Sequence, residues 1–293
     1  MKYWKQITVF TLFSFFAQGQ TITYKVIKDT PDDIANYWIN VGVVELGYAS
    51  DNAGFGLLGS SLGGVVHYKN KFGGELFYKH NFFSLDTTKT SRQFEIGGFY
   101  HFASKSKTKS QKVILAEKKN GNSEVSIKVP ATIQRSFGLR AGLTMLSGGL
   151  ATTPEAHGTA AEEHLLVKTI GIYAGVLMTS SLNARCHTQE YGIKSAGFVR
   201  RNYLDVMINP VNQVTDLSGN AYTGTIKKGV IGFRLGVQFL KAEPKKLAGS
   251  AFYHKLEIGS RPIDGYYGTY TMGFNFKRRV KSMSSFTVIR EKE

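Results

Sequence analysis

Alternation at period two along most of the chain, strand faces rich in glycine, and an N-terminus built for export together predict an all-β fold. The expected architecture is an antiparallel up-and-down transmembrane β-barrel of about ten strands. Each observation carries a different part of that expectation. Alternation says that the strands have one apolar face, the glycines say which face is enclosed, and the N-terminus says that the chain leaves the cytoplasm.

The first element is not expected to belong to the fold. Met1, Lys2 and Lys5 precede the apolar run ITVFTLFSFFA from Ile7 to Ala17, and Gly19 follows. A cationic head, a short apolar stretch and small residues near its end form a secretory signal peptide, expected over residues 1–19. The run has 11 residues, short of the roughly 20 that a spanning helix needs. Past it no apolar run approaches about 18 residues, so helical membrane spans are excluded. Residues 20–293 are expected to form a single domain. Cys186, the lone cysteine, has no partner for an internal disulfide and no metal-ligand companion nearby. The 32 glycines weigh against long helices and suit curved, close-packed strands.

The strands then follow in order, near residues 37–47, 60–69, 72–82, 94–103, 136–145, 167–181, 196–208, 231–239, 251–260 and 266–276. In GVIGFRLGVQF, Ile231, Phe233, Leu235, Val237 and Phe239 oppose Gly232, Arg234, Gly236 and Gln238. SFGLRAGLTML repeats the design, with Phe137, Leu139, Ala141, Leu143 and Met145 against Ser136, Gly138, Arg140, Gly142 and Thr144. Short connections at Asn70–Lys71 and in RPIDG imply an antiparallel meander. Two stretches stand apart. SKSKTKSQ reads as a cationic connector leading into an inserted hairpin near 111–130, with its turn at Asn120 and Gly121. SGGLATTPEAHGTAAEEH reads as a long exposed loop, and residues 277–293 as a basic C-terminal tail.

A soluble β-protein would carry Lys, Glu, Asp and Gln on its exposed strand faces. Here the polar faces carry Gly, Ser and Thr with single charges, which suits a narrow lumen where side chains from all strands converge. The apolar faces are then left for lipid. In GYYGTYTMGFNF, Tyr266 and Tyr270 lie near one end of the strand and Phe274 and Phe276 near the other, as two interfacial girdles would require.

The segments AGFVRRNYLDVMINPV at 196–211, IGFRLGVQF at 231–239 and LEIGSRP with GYYGTYTMGFNF within 256–276 carry a resemblance. On these the chain resembles small outer-membrane β-barrel proteins of Bacteroidota-type bacteria. The likeness covers mainly the C-terminal third. It implies a barrel in the cell outer membrane of a Gram-negative envelope, and it implies no activity and no functional residues.

Nine charges fall on the expected lumen faces: Glu75, Lys79, Glu95, Arg140, Arg201, Asp205, Arg234, Lys255 and Glu257. A selective channel shows an excess of one sign at its constriction. Four acids against five bases are instead expected to pair among themselves and plug the barrel, because unpaired buried charges are costly. The net charge of +16 is concentrated elsewhere. Residues 104–130 hold seven Lys against two Glu, and residues 277–293 hold six Lys or Arg against two Glu. Both segments are expected on the periplasmic side, facing anionic lipid, the cell wall or envelope proteins, and export excludes nucleic acid as a partner.

Catalytic residues, cofactors and metals are not expected. There is no Asp-x-Asp or Asp-x-His, and HGTAAEEH, with His157, His164 and Glu162 or Glu163, fits no standard metal spacing. The expected role is structural or partner-binding in the envelope. A narrow pore for small solutes is the alternative, and a lipid- or peptide-hydrolysing barrel, tested first at His67, His101 and His157, is the second.

Overall fold

The structure, a computed structural model, describes residues 22–27, 37–49, 57–68, 71–83, 91–117, 124–152, 163–216, 218–222, 229–241, 250–261 and 265–278. The expected signal peptide, His157, Glu162 and residues 279–293 of the basic tail lie outside them. Eleven strands are described: β1 (Tyr24–Ile27), β2 (Tyr37–Ala49), β3 (Leu57–Tyr68), β4 (Phe72–Phe83), β5 (Ser91–Glu117), β6 (Glu124–Thr152), β7 (Glu163–Thr188), β8 (Gly192–Thr215), β9 (Ile231–Lys241), β10 (Ser250–Arg261) and β11 (Gly265–Arg278). From β2 to β11 each strand pairs antiparallel with its neighbours in sequence. Pairing of β11 with β2, from Tyr267↔Ala49 to Arg278↔Tyr37, closes ten strands into a barrel.

Closure leaves no lateral edge within the barrel, and the two faces separate as the alternation requires. Phe137, Leu139, Leu143 and Met145 of β6 are exposed on the outer wall, as are Ile96, Tyr100 and Phe102 of β5 and Tyr270, Met272, Phe274 and Phe276 of β11. Phe137 to Met145 spans eight steps, roughly 20 Å of height for a strand tilted near 40°. That apolar wall is the lipid-facing surface of a membrane-embedded barrel. Thr269, Thr271 and Asn275 point the other way and are buried.

Alternation breaks at β2 for a local reason. Trp38, Asn40 and Gly42 face inward, and so do Glu45 and Gly47. The phase changes from even to odd because Val43 and Val44 form a bulge, seen as a register shift against both β3 and β11. Pro210 sits at a similar irregularity in β8, beside the shift at Ile170/Ile172, which is where a strand accepts proline.

The four central strands differ from the expectation. SKSKTKSQ is not a connector: Ser104–Gln111 continues β5 and pairs with β6 from Ser136 to Val129. The hairpin near 111–130 is the far end of the same two strands, which run 27 and 29 residues. Ser147–Thr152 and Glu163–His164, expected in a loop, likewise extend β6 and β7. On the side of both chain ends, β5, β6, β7 and β8 therefore rise beyond the barrel. There β6 leaves β7 after Thr132↔Asn183, and β1 takes its place from Ile27↔Arg185 to Tyr24↔Thr188. The Tyr24 hydroxyl donates to the Lys128 carbonyl oxygen at 2.9 Å, which ties β1 back to β6.

This extension has its own core of Val113, Leu115, Val129, Ala131, Leu182, Ala184 and Cys186, with Val26 and Phe198 packed against it. In β7 the buried positions are odd up to Thr179 and even from Ser180 through Thr188, with no break in register between. The face that meets lipid in the barrel thus becomes the face that packs a core above it. Lys105, Lys107 and Lys109 are exposed on β5, which pairs only with β6 here, so an otherwise open edge is guarded by charge.

Val129→Asp places an unpaired carboxylate in the extension core, at a cost of several kcal/mol. Trypsin should then cut between Lys105 and Lys128 at much lower enzyme concentration. The remaining barrel should still migrate differently on a gel before and after heating in detergent.

Candidate functional site

Seven strands send charged side chains into the lumen. β2 supplies Glu45, β4 Glu75 and Lys79, β5 Glu95, β6 Arg140, β8 Arg201 and Asp205, β9 Arg234, and β10 Lys255 and Glu257. The structure brings all nine sequence-derived residues together and adds Glu45, which is 1% exposed. Sequence reasoning passed over it because regular alternation from Trp38 turns position 45 outward. A carboxylate amid Val43, Val44 and Leu46 was the available signal, since lipid would not accept it. With Glu45 the ion-paired set holds five acids and five bases, and Arg261, on the same face of β10, adds a sixth base that donates to Gln93 at 2.8 Å and lies 4.0 Å from the centre of the Tyr267 ring.

Arg234 is the hub. Its guanidinium meets Asp205 at 2.8 Å and Glu257 at 3.5 Å, and it pairs closely with Glu95. A second group forms around Lys79, which lies 3.1 Å from Glu45 and 3.2 Å from Glu257, while Lys255 reaches Glu257 at 3.1 Å. A third forms around Glu75, bound by Arg140 at 2.7 Å and Arg201 at 2.8 Å. Glu257 joins the first group to the second, and Asp205, 3.6 Å from Arg140, joins the first to the third. Two neutral donors add to the ion pairs: Thr271 donates to Glu45 at 3.2 Å, and Tyr203 to Glu257 at 2.5 Å. Buried carboxylates shared among several cations in this way lose much of the penalty of leaving water.

Glycines explain how long side chains lie flat enough to meet. Tyr203, Gly236 and Glu257 occupy paired positions on β8, β9 and β10, and the Tyr203 ring crosses the glycine to reach the carboxylate. A Cβ at Gly236 would sit 2.0 Å from Tyr203 Cζ. Tyr173 crosses both Gly142 and Gly97 to donate to Glu75 at 3.2 Å. Arg140 stacks on both rings, 4.1 Å from the centre of Tyr203 and 4.9 Å from that of Tyr173. Neither tyrosine was singled out in the sequence, although each inward aromatic faces a glycine across the strand pair.

Toward the side of the chain ends the network is capped by an apolar layer that includes Trp38, Val65, Phe99, Leu177, Val199 and Leu240. His67 is wedged into this layer, its ring 4.7 Å from Trp38 and 4.8 Å from Phe99. His101 lies 5.2 Å from Phe99, with Nε2 3.1 Å from Thr179 Oγ1. These two histidines serve packing in this arrangement. Among the described residues no cluster has the make-up of a metal site. Within the network a cavity of about 30 Å³ is lined by residues that include Glu75, Glu95, Arg140, Arg201 and Lys255. That is room for about one or two waters.

No family model matches the chain, and no curated protein matches it. Among solved structures the chain is similar to the CymD monoaromatic hydrocarbon channel, at 6% identity and a TM-score of 0.24, over 89% of this chain and 90% of that one. A likeness of that size says nothing of what this lumen holds.

Arg234→Met leaves Glu95, Asp205 and Glu257 short of a shared cation and should lower stability by about 3–5 kcal/mol. Gly236→Ala should cost about 1–3 kcal/mol by pushing Tyr203 off Glu257. Urea unfolding of the detergent-solubilised barrel, followed by tryptophan fluorescence, measures both.

Proposed function

We propose that this chain is a closed, non-conducting barrel of the outer membrane that catalyses no reaction and holds a partner of the cell envelope on its strand extension. The observation that carries this reading is the filled lumen. Ten buried charges pair with one another, rings lie across the glycines, an apolar layer caps the network, and the cavity among the ion pairs measures about 30 Å³. A permeating solute or ion would have to part several ion pairs at once. The export-type N-terminus supports the outer membrane as the destination.

The extension supports the partner-binding half. It projects from the barrel as a packed unit, and its exposed β5 edge displays Lys105, Lys107 and Lys109. The partner of choice is acidic, whether an envelope protein, the cell wall or anionic lipid; Lys277 and Arg278, expected in the basic tail, end β11, and the remaining basic residues of 279–293 add to the same charge. A narrow pore remains the second reading, and it requires the network to open.

Planar-bilayer recording separates the two. The wild-type protein should give no current steps above leak, and regular openings would overturn the closed-barrel reading. Lys105→Glu, Lys107→Glu and Lys109→Glu combined should abolish recovery of an acidic envelope partner in a native pull-down, with heat-dependent gel migration unchanged. Undiminished recovery would remove the extension edge as the docking site.

A further inference from the structure

The outer wall is apolar over most of its height, but near the loop side it carries an ordered polar row. Paired positions put Arg92 of β5, Ser147 of β6, Lys168 of β7 and Gln213 of β8 side by side, all exposed on the outward face. The adjacent row toward the middle of the barrel is Phe94, Met145, Ile170 and Val211. A groove of about 310 Å³ runs along these two rows, with a mainly apolar lining. No carboxylate lines it among the described residues.

Two strand spacings separate Arg92 from Lys168, roughly 10 Å between Cα atoms. Side chains as long as arginine and lysine close that gap from both sides around one tetrahedral anion. The row also sits where the apolar wall ends, the depth at which outward cations cost least and at which lipid headgroups lie. An acyl chain alone would not require two cations, and a free anion would not require the apolar floor beneath them.

We propose that this groove binds an acyl lipid of the surrounding leaflet whose phosphate headgroup carries net negative charge, with the phosphate between Arg92 and Lys168 and an acyl chain along Phe94, Met145, Ile170 and Val211, in preference to a zwitterionic phospholipid. The proposal rests on the reading of the barrel as lipid-embedded, and it is independent of whether the lumen conducts.

The full chain, reconstituted in phosphatidylcholine nanodiscs doped with either phosphatidic acid or diacylglycerol, tests it by native mass spectrometry of the lipid retained on release. Phosphatidic acid should be retained and diacylglycerol lost. Arg92→Ala with Lys168→Ala should lower retention by at least about tenfold. Met145→Trp, which fills the groove and keeps both cations, should lower it as well. Heat-dependent gel migration of each variant shows that the barrel has folded. Equal retention of the two lipids, or undiminished retention by the Arg92→Ala/Lys168→Ala protein, would overturn the proposal. So would full competition by inorganic phosphate alone, which identifies a free-anion site. Failure to enter the discs removes the membrane reading and this site with it, whereas entry without selective retention removes this site only.

Discussion

A charge inside a closed sheet cannot escape to water by rotating outward, because the next position along the strand belongs to lipid. Every ionised group in this lumen must therefore find its counterion inside the barrel. The close balance of acids and bases follows from that constraint, and so does the reach of the network. Lys79 of β4 touches Glu45 of β2 and Glu257 of β10, while Arg234 of β9 reaches Glu95 of β5 on a strand it does not adjoin in the sheet. Backbone hydrogen bonds hold each strand only to its two neighbours. The ion pairs brace strands that the ladder leaves unconnected.

Such braces work only if long side chains converge without collision, and here the glycine content acquires a structural meaning. Tyr203 lies over Gly236, Tyr173 over Gly142 and Gly97, and each delivers a hydroxyl to a carboxylate two or three strands away. The same rings then serve as platforms for Arg140 and Arg234. A glycine opposite an inward aromatic is thus part of the electrostatic arrangement, since it sets how close to the wall the ring can lie.

Most of this was legible in the sequence where one face was apolar and the other polar. The strands carrying Phe137–Met145 and Ile231–Phe239 announce both their existence and their inward charges through alternation alone. Glu45 escaped the alternation because a bulge at Val43 and Val44 moves the phase by one, and only the charge itself, set among apolar neighbours, marks the position. The rise of β5 was hidden for a different reason. In Ser104–Ser110 both faces are polar, so a strand and a connector look the same to any hydrophobic pattern. The core of the extension was hidden again by continuity, because β7 exchanges its buried face at Thr179 and Ser180 without a residue out of place.

That exchange of faces has a mechanical consequence. A domain hung on a flexible linker samples a wide volume, and a partner that captures it must quench that freedom. Here the strands pass from one environment to the other with their hydrogen-bond ladder intact, so the projecting unit stands at a set height and azimuth above the bilayer. A load applied to its tip is carried as tension along β6 and β7 into the barrel wall. A partner docked there, as proposed, would inherit the orientation of the membrane itself.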